Sequence, residues 1–296
     1  MFDIGSLYLA RDVDDAIRAL QADENAMLIS GGTDVLVQVR EGRLAGRPLV
    51  SIHDLQELSG IALGEDGELV IGAATTFHDI ASDERVRART PMLGYAVDQV
   101  GGPQTRNAGT IGGNVCNGVT SADSAASLKC YNASLELRGL EGTRFVSIHD
   151  FYTGPGKTVR RRDEVLLSVR VARKDYEGYS GCYIKYGKRA AMEIATLGCA
   201  ALLKPSPDRK TLEDARLAFG VAAPTPIRCW ETEKSVRGMA LGEKLAQRMA
   251  EGALSEVSPR TSWRASREFR MQLVRELTVR AVRDALAGGQ TMDKGW

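Results

Sequence analysis

Two stretches of this chain place bare backbone and small hydrogen-bonding side chains where a packed element would place apolar ones. The first is Ser30-Gly31-Gly32-Thr33-Asp34; the second is RNAGTIGGNVCNGVTSADSA, Arg106 to Ala125. The first lies between an apolar strand-like run and a helical pattern, so its backbone N–H groups could face an anion such as phosphate. The second adds Gly112-Gly113, with Thr110, Asn114, Ser121 and Ser124 as donors and Asp123 as an acceptor. Two such surfaces would suit the two halves of a pyrophosphate. Neither loop spells G-x-G-x-x-G or ends in G-K-[ST], so the Rossmann and P-loop readings fail. A lone glycine pair more often marks a turn needing positive φ; two pairs in this setting leave turn and phosphate readings level.

Other chemistries lack their spacing. Cys116, Cys130, Cys182, Cys199 and Cys229 are scattered and form no CxxC, which argues against a zinc site, an iron–sulfur cluster or a disulfide framework and favours buried reduced thiols. His53, His78 and His149 lie far apart, each followed by aspartate, a pattern of local turn or helix-start hydrogen bonding rather than ligation. With 39 basic and 38 acidic side chains the formal charge is +1, so no global field draws nucleic acid or an anionic membrane. The first residues have no signal-peptide pattern and no apolar run approaches the ~20 residues of a membrane span. The expectation is a cytoplasmic protein. The basic run Arg160 to Arg162 reads as a solvated turn.

The elements that would position the loops begin with a small α/β unit: helix over Asp12 to Leu20, strand over Ala26 to Ile29, helix over Asp34 to Arg43 and strand over Pro48 to Ile52. A strand over Leu69 to Ala73 and helices around Phe77 to Ala81 and over Pro91 to Val100 lead to the glycine segment, read as too bare for a packed element. Strands follow near Asn132 to Leu137, Arg144 to Ile148 and Glu164 to Val171. From Gly178 long apolar strands suggest another sheet. Helices follow over Gly242 to Glu256 and Ser262 to Ala287, the last with Phe269, Leu273, Leu277 and Ala281 as its apolar stripe. The polar gap near Arg173 to Glu177 is the expected domain boundary in a chain of 296 residues.

Seven motifs in order, SGGTDVLVQVR, IGAATTFHDI, GGPQTRNAGTIGGNVCNGVTSADSAASL, FYTGPGKTVRRRDEVLL, YIKYGKRAAMEIATLGCAA, LAFGVAAPTPIRC and SWRASREFR, resemble the medium flavoprotein subunits of the molybdenum hydroxylases, most closely the bacterial xanthine dehydrogenase type. The resemblance spans essentially the whole chain. It implies an α+β protein: a two-part, non-Rossmann FAD-binding domain of the vanillyl-alcohol-oxidase (PCMH-like) kind, then a C-terminal antiparallel sheet with helices. The implied domains are residues 1–175, as two α/β pieces of about 1–55 and 56–175, and residues 176–296.

Carried over residue by residue, the resemblance makes Met27, Leu28, Ile29, Ser30, Gly31, Gly32, Thr33 and Asp34 one pyrophosphate loop. Gly109, Thr110, Ile111, Gly112, Gly113 and Asn114 form the other. It directs Asp123 to ribityl or ribose hydroxyls, packs Val165 and Leu166 at the isoalloxazine, and sets Ile184 and Lys185 at its pyrimidine edge, with Lys185 tuning the flavin. Val100 stands where some relatives place an aromatic over the ring. Arg189 and Glu193 pair either beside the ring or on the surface. The implied activity is electron relay during hypoxanthine or xanthine hydroxylation. A partner molybdopterin subunit acts on substrate, 2Fe-2S clusters on an iron–sulfur subunit pass electrons on, and FAD here delivers them to NAD+. A heterotrimer that can dimerise follows, with Trp263, Arg264, Arg267 and Arg270 at the last helix as a docking element or, alternatively, a solvated basic face with Trp263 in the core. Aldehyde or carbon monoxide dehydrogenase subunits are the alternative; a self-sufficient flavin reductase would need a proton-donor constellation that is not evident.

Overall fold

Asp12 starts the first helix, Val13–Ala22, by accepting the Asp15 N–H at 2.7 Å, which satisfies one of the donors that every helix start leaves free. Val13, Ala16, Ile17 and Leu20 then recur on one buried face. They cover a three-stranded parallel sheet, in spatial order Ser6–Leu9, Pro48–Ser51, Met27–Ile29. The structure, a computed structural model, describes residues 2–290; Met1 and 291–296, the outer ends of the two domains read from the sequence, lie outside the described residues. Strand Ser6–Leu9 is an addition to the expected elements. It is an edge strand with all four residues exposed, Leu7 at 57 % and Leu9 at 63 %, so no period-two burial announces it.

A second, antiparallel sheet has the order Ile61–Leu63, Leu69–Gly72, Val165–Val171, Ser134–Gly139, Gly142–Ser147. Leu69, Ile71, Leu135, Leu137, Val169 and Val171 alternate onto one face and join helices Phe77–Ser82 and Pro91–Asp98 in a core. The glycine-rich segment corrects its expectation, because it is mostly helical: Pro103–Ala108, Ile111–Cys116 and Asp123–Cys130. Thr110 caps the second of these by accepting the Gly113 N–H at 3.2 Å, and Ile111 and Val115 are fully buried. Capping and tertiary burial override the poor helix propensity of the glycines.

The third sheet is antiparallel: Ser180–Tyr186, Leu197–Pro205, Leu212–Gly220, Ile227–Arg228. Both its faces are covered. Cys199, Ala201 and Leu203 meet helices Glu243–Glu256 and Arg267–Leu286, while Ala200 and Leu202 face the core of the second sheet's helices. A strand covered on both sides needs no polar alternation, hence the run Leu197 to Leu203. Four of the five thiols are buried, and burial raises the pKa of all five.

The last helix starts at Arg267, capped by Ser266, and its buried face is Leu273, Val274, Leu277, Thr278, Ala281, Val282 and Ala285. Phe269 sits off that face, its ring edge-on to Tyr186 at 5.7 Å. Arg270 is buried, donating to Thr196 O at 3.1 Å, to Ser262 Oγ at 2.8 Å and to Arg260 O, so it leaves the expected basic face. Trp263 is 76 % exposed, which overturns its alternative placement in the core. The basic run is a solvated turn at Arg161 and Arg162, both exposed, with Arg162 donating to Leu20 O and Asp23 O and Arg161 pairing with the exposed Glu141.

Candidate functional site

Between the first two sheets and the loop before Leu197 lies a cavity of about 760 Å³, within the usual range for a small-molecule or cofactor site. Its first wall is the loop after strand Met27–Ile29. Gly31 is required there by the protein itself, since a Cβ would overlap the carbonyl oxygen of Ala108. That close approach brings the two glycine loops side by side. Among the described residues the backbone N–H groups of Ser30, Gly31, Gly32, Thr33 and Asp34 have no acceptor inside the protein. Ser30 Oγ is also buried without a partner. Ser30, Gly31 and Gly32 are half-buried and Thr33 and Asp34 exposed, so these backbone donors stay accessible, and the buried, unpartnered Ser30 hydroxyl among them marks a loop open to an acceptor that the chain does not supply.

The second wall is organised differently. The N–H of Ile111 donates to Thr75 O at 3.1 Å, Gly112 to Ala73 O at 2.8 Å, Gly113 to Thr110 Oγ1 at 3.2 Å and Asn114 to Thr110 O at 3.0 Å. A Cβ on Gly112 would lie 2.6 Å from Ala73 O, so this glycine serves contact with the second sheet. The loop offers its side chains instead. Asn114 Oδ1 accepts Ser124 Oγ at 2.6 Å, which leaves the amide NH₂ as a donor, and Ser121 and Asn117 line the same wall.

Asp123 closes one end. Its carboxylate accepts Tyr183 OH at 2.8 Å and Lys185 Nζ at 2.8 Å, and Lys185 also donates to Gln99 O at 2.8 Å. Burial raises the Asp123 pKa, opposed by the Lys185 ammonium and by both hydrogen bonds. Burial beside this carboxylate also holds the Tyr183 hydroxyl protonated, well above the usual tyrosine range.

Of the residues expected at the site, Met27, Leu28, Ser30, Gly31, Gly32, Thr33, Asp34, Val100, Gly109, Thr110, Gly112, Gly113, Asn114, Asp123 and Leu166 line this one cavity. Ile29, Ile111 and Val165 do not; all three are buried, Ile111 and Val165 in the flanking cores. Ile184 packs toward the C-terminal helices, and Lys185 reaches the wall only through Asp123. Glu193 lines the cavity and pairs with the exposed Arg189 at 3.2 Å, so that ion pair spans rim and surface. Sequence reasoning passed over Gly101-Gly102, Arg160, Met192 and Ile194, which also line it. The third glycine pair was a usable signal. Arg160 had none, because a basic run with no periodicity looks the same whether one member turns inward or not. Among the described residues no group of three His, Cys, Asp or Glu side chains could hold a metal.

Residues 2–173 match the family described as FAD binding domain in molybdopterin dehydrogenase, and residues 182–285 match the CO dehydrogenase flavoprotein C-terminal domain. The chain is 43 % identical over 287 residues to the xanthine dehydrogenase FAD-binding subunit of Escherichia coli O157:H7, covering 97 % of this chain and 98 % of that one. It is 30 % identical over 276 residues to the glyceraldehyde dehydrogenase medium chain of Sulfolobus acidocaldarius, covering 93 % and 96 %. A chain of the solved carbon monoxide dehydrogenase of Hydrogenophaga pseudoflava superposes with a TM-score of 0.92 at 28 % identity, covering 98 % of this chain and all of the other.

Proposed function

The chain belongs to the family of FAD-binding subunits of molybdopterin dehydrogenases, and from that premise we propose that its complex hydroxylates hypoxanthine and xanthine with NAD+ as electron acceptor. The observation that carries the cofactor reading is the row of unmet donors at Ser30 to Asp34, joined by the orphaned Ser30 hydroxyl. A pyrophosphate supplies acceptors for them, and hydrogen bonds to an ionised acceptor are the stronger kind.

The rest of the cavity fits the same group. Asp123 gives one lone pair of each oxygen to Tyr183 and Lys185, which leaves acceptor capacity for hydroxyls of a ribityl or ribose chain. Leu28, Val100 and Leu166 offer apolar surface for a flat ring. Bound there, FAD would supply the two-electron chemistry that links iron–sulfur clusters on a partner to NAD+. The task of this chain is to hold the cofactor, shield it and set the charge around it.

The molybdopterin and the 2Fe-2S clusters belong, in this reading, to two partner subunits of a cytoplasmic heterotrimer that can dimerise. No described helix is long and apolar enough to cross a membrane. The higher identity to the xanthine dehydrogenase subunit favours purines over the aldehyde or carbon monoxide reading. Co-expression with candidate partner subunits tests both levels. The purified complex is expected to carry one FAD per chain and to reduce NAD+ with hypoxanthine. Turnover of an aldehyde or carbon monoxide, with none of purines, would replace the substrate assignment.

A further inference from the structure

Helix Asp123–Cys130 is buried along its whole length and is gripped at both ends by the C-terminal sheet. At its first residue, Tyr183 OH and Lys185 Nζ each hold one oxygen of Asp123 at 2.8 Å. Tyr183 and Lys185 are two apart on strand Ser180–Tyr186 and therefore point to one face. At its last residues, Arg228 donates to Lys129 O at 3.0 Å and Arg216 to Cys130 O at 2.9 Å, from the strands at the other side of the same sheet. One residue beyond Asp123, Ser124 Oγ fixes Asn114 Oδ1 on the second glycine loop.

Tyr183 is 1 % exposed and does not line the cavity. Space for its hydroxyl is reserved by Gly198 on the neighbouring strand, where a Cβ would lie 2.8 Å from that oxygen. The fold thus keeps a glycine in a central strand, an unfavourable place for it, and so leaves the hydroxyl free to reach Asp123.

We propose that Tyr183 is a positioning residue of the cofactor site: from behind the wall it fixes the orientation and the ionisation of Asp123. The proposal rests on the reading of the cavity as an FAD site. A hydroxyl donated to a carboxylate stabilises the charged form, so its loss raises the carboxyl pKa. Lys185 acts in the same direction and more strongly, being a charge. Among the described residues these two are the groups that act on Asp123; Tyr95 on helix Pro91–Asp98 and Cys199 on strand Leu197–Pro205 act on Tyr183 itself.

The test is FAD titration of the full apo chain, by flavin fluorescence from about pH 5 to pH 8.5, on wild type, Tyr183→Phe, Lys185→Met and Asp123→Asn. An ionised Asp123 binds hydroxyls best, so affinity falls as pH drops through its pKa. Tyr183→Phe should weaken FAD about 5–10-fold near neutrality and move that midpoint to higher pH. Lys185→Met should move it further, and Asp123→Asn should bind weakly with a flat profile. Gly198→Ala, which crowds the hydroxyl without deleting it, should shift the midpoint in the same direction as Tyr183→Phe. A Tyr183→Phe midpoint equal to that of wild type, whatever the change in affinity, overturns the proposal and leaves Tyr183 a packing residue. Failure of the wild-type chain to bind FAD at every pH instead overturns the cofactor reading of the cavity, and the proposal falls with it.

Discussion

Ser30 shows how a single side chain reports an intended ligand. Its hydroxyl is buried and unpartnered, so in the empty chain it carries a desolvation penalty with no return. Ser30→Ala should therefore leave thermal stability of the apo chain unchanged or slightly raised, while weakening FAD by about tenfold through loss of one charge-assisted hydrogen bond. Differential scanning fluorimetry and FAD titration on the same preparation separate the two effects; a variant that loses stability but not affinity would show the hydroxyl serving the fold. The glycines beside it teach a different lesson. Bare sequence suggested bare surface for a phosphate, yet Gly31 and Gly112 are bare because Ala108 and Ala73 approach them. The residue type was legible; whether it served ligand or backbone depended on a neighbour far along the chain. Lys185 shows the same limit, since its charge faces Asp123 rather than the cavity directly.

At the scale of elements, periodicity located the strands that are buried on one face and the helices with apolar stripes. It missed strand Ser6–Leu9, which buries neither face, and the helices in the glycine segment, which depend on capping and tertiary contact. The helix Asp123–Cys130 is the clearest case. All eight residues are buried, so it has no amphipathic period to read, and its last carbonyls are met by arginines from the third sheet. Arg228 is central among these, paired with Glu233 at 2.7 Å and stacked on Trp230 at 4.1 Å. Burial raises the Glu233 pKa, and Arg228 opposes this. Arg228→Met removes that compensation and two acceptor contacts, at Lys129 O and Asn132 Oδ1, and is expected to cost about 3–5 kcal/mol in chemical denaturation. Adding Glu233→Gln, which still accepts the Leu217 N–H, should recover more than half of the loss. If the double variant is as unstable as the single one, the stacking and carbonyl contacts of Arg228 outweigh its charge pair.

For the whole molecule the question is where electrons enter. The loop between strands Ser180–Tyr186 and Leu197–Pro205 brings Met192, Glu193 and Ile194 to the cavity wall and, a few residues earlier, Lys188 to Trp263, whose ring lies 5.6 Å from that ammonium. Arg264 stacks on the same ring at 4.2 Å. An exposed aromatic flanked by cations, joined by one loop to the rim of the cavity, is suited to an acidic partner that must bring an electron carrier near the flavin, and aromatic and arginine side chains are the ones that dominate such interfaces. Of the candidate docking residues Trp263, Arg264, Arg267 and Arg270, burial removes Arg270, whose replacement would unfold the helix start rather than probe a surface. The informative pair is Trp263→Ala with Arg267→Glu. Neither side chain supports the core, so the isolated chain should keep its melting temperature and its FAD affinity. Assembly with the iron–sulfur subunit should weaken at least tenfold, since truncation of a central tryptophan anchor alone commonly costs 2 kcal/mol or more, and the added salt dependence of the basic contacts should fall. Size-exclusion chromatography of the co-expressed subunits at low and high salt reads the assembly, and hypoxanthine-dependent NAD+ reduction reads the relay. Because the lone chain should oxidise no purine even when saturated with FAD, loss of that activity in the variant would track loss of the complex. A variant that assembles and turns over like wild type would move the electron entry to another face, and purine turnover by the chain alone would remove the need for a partner.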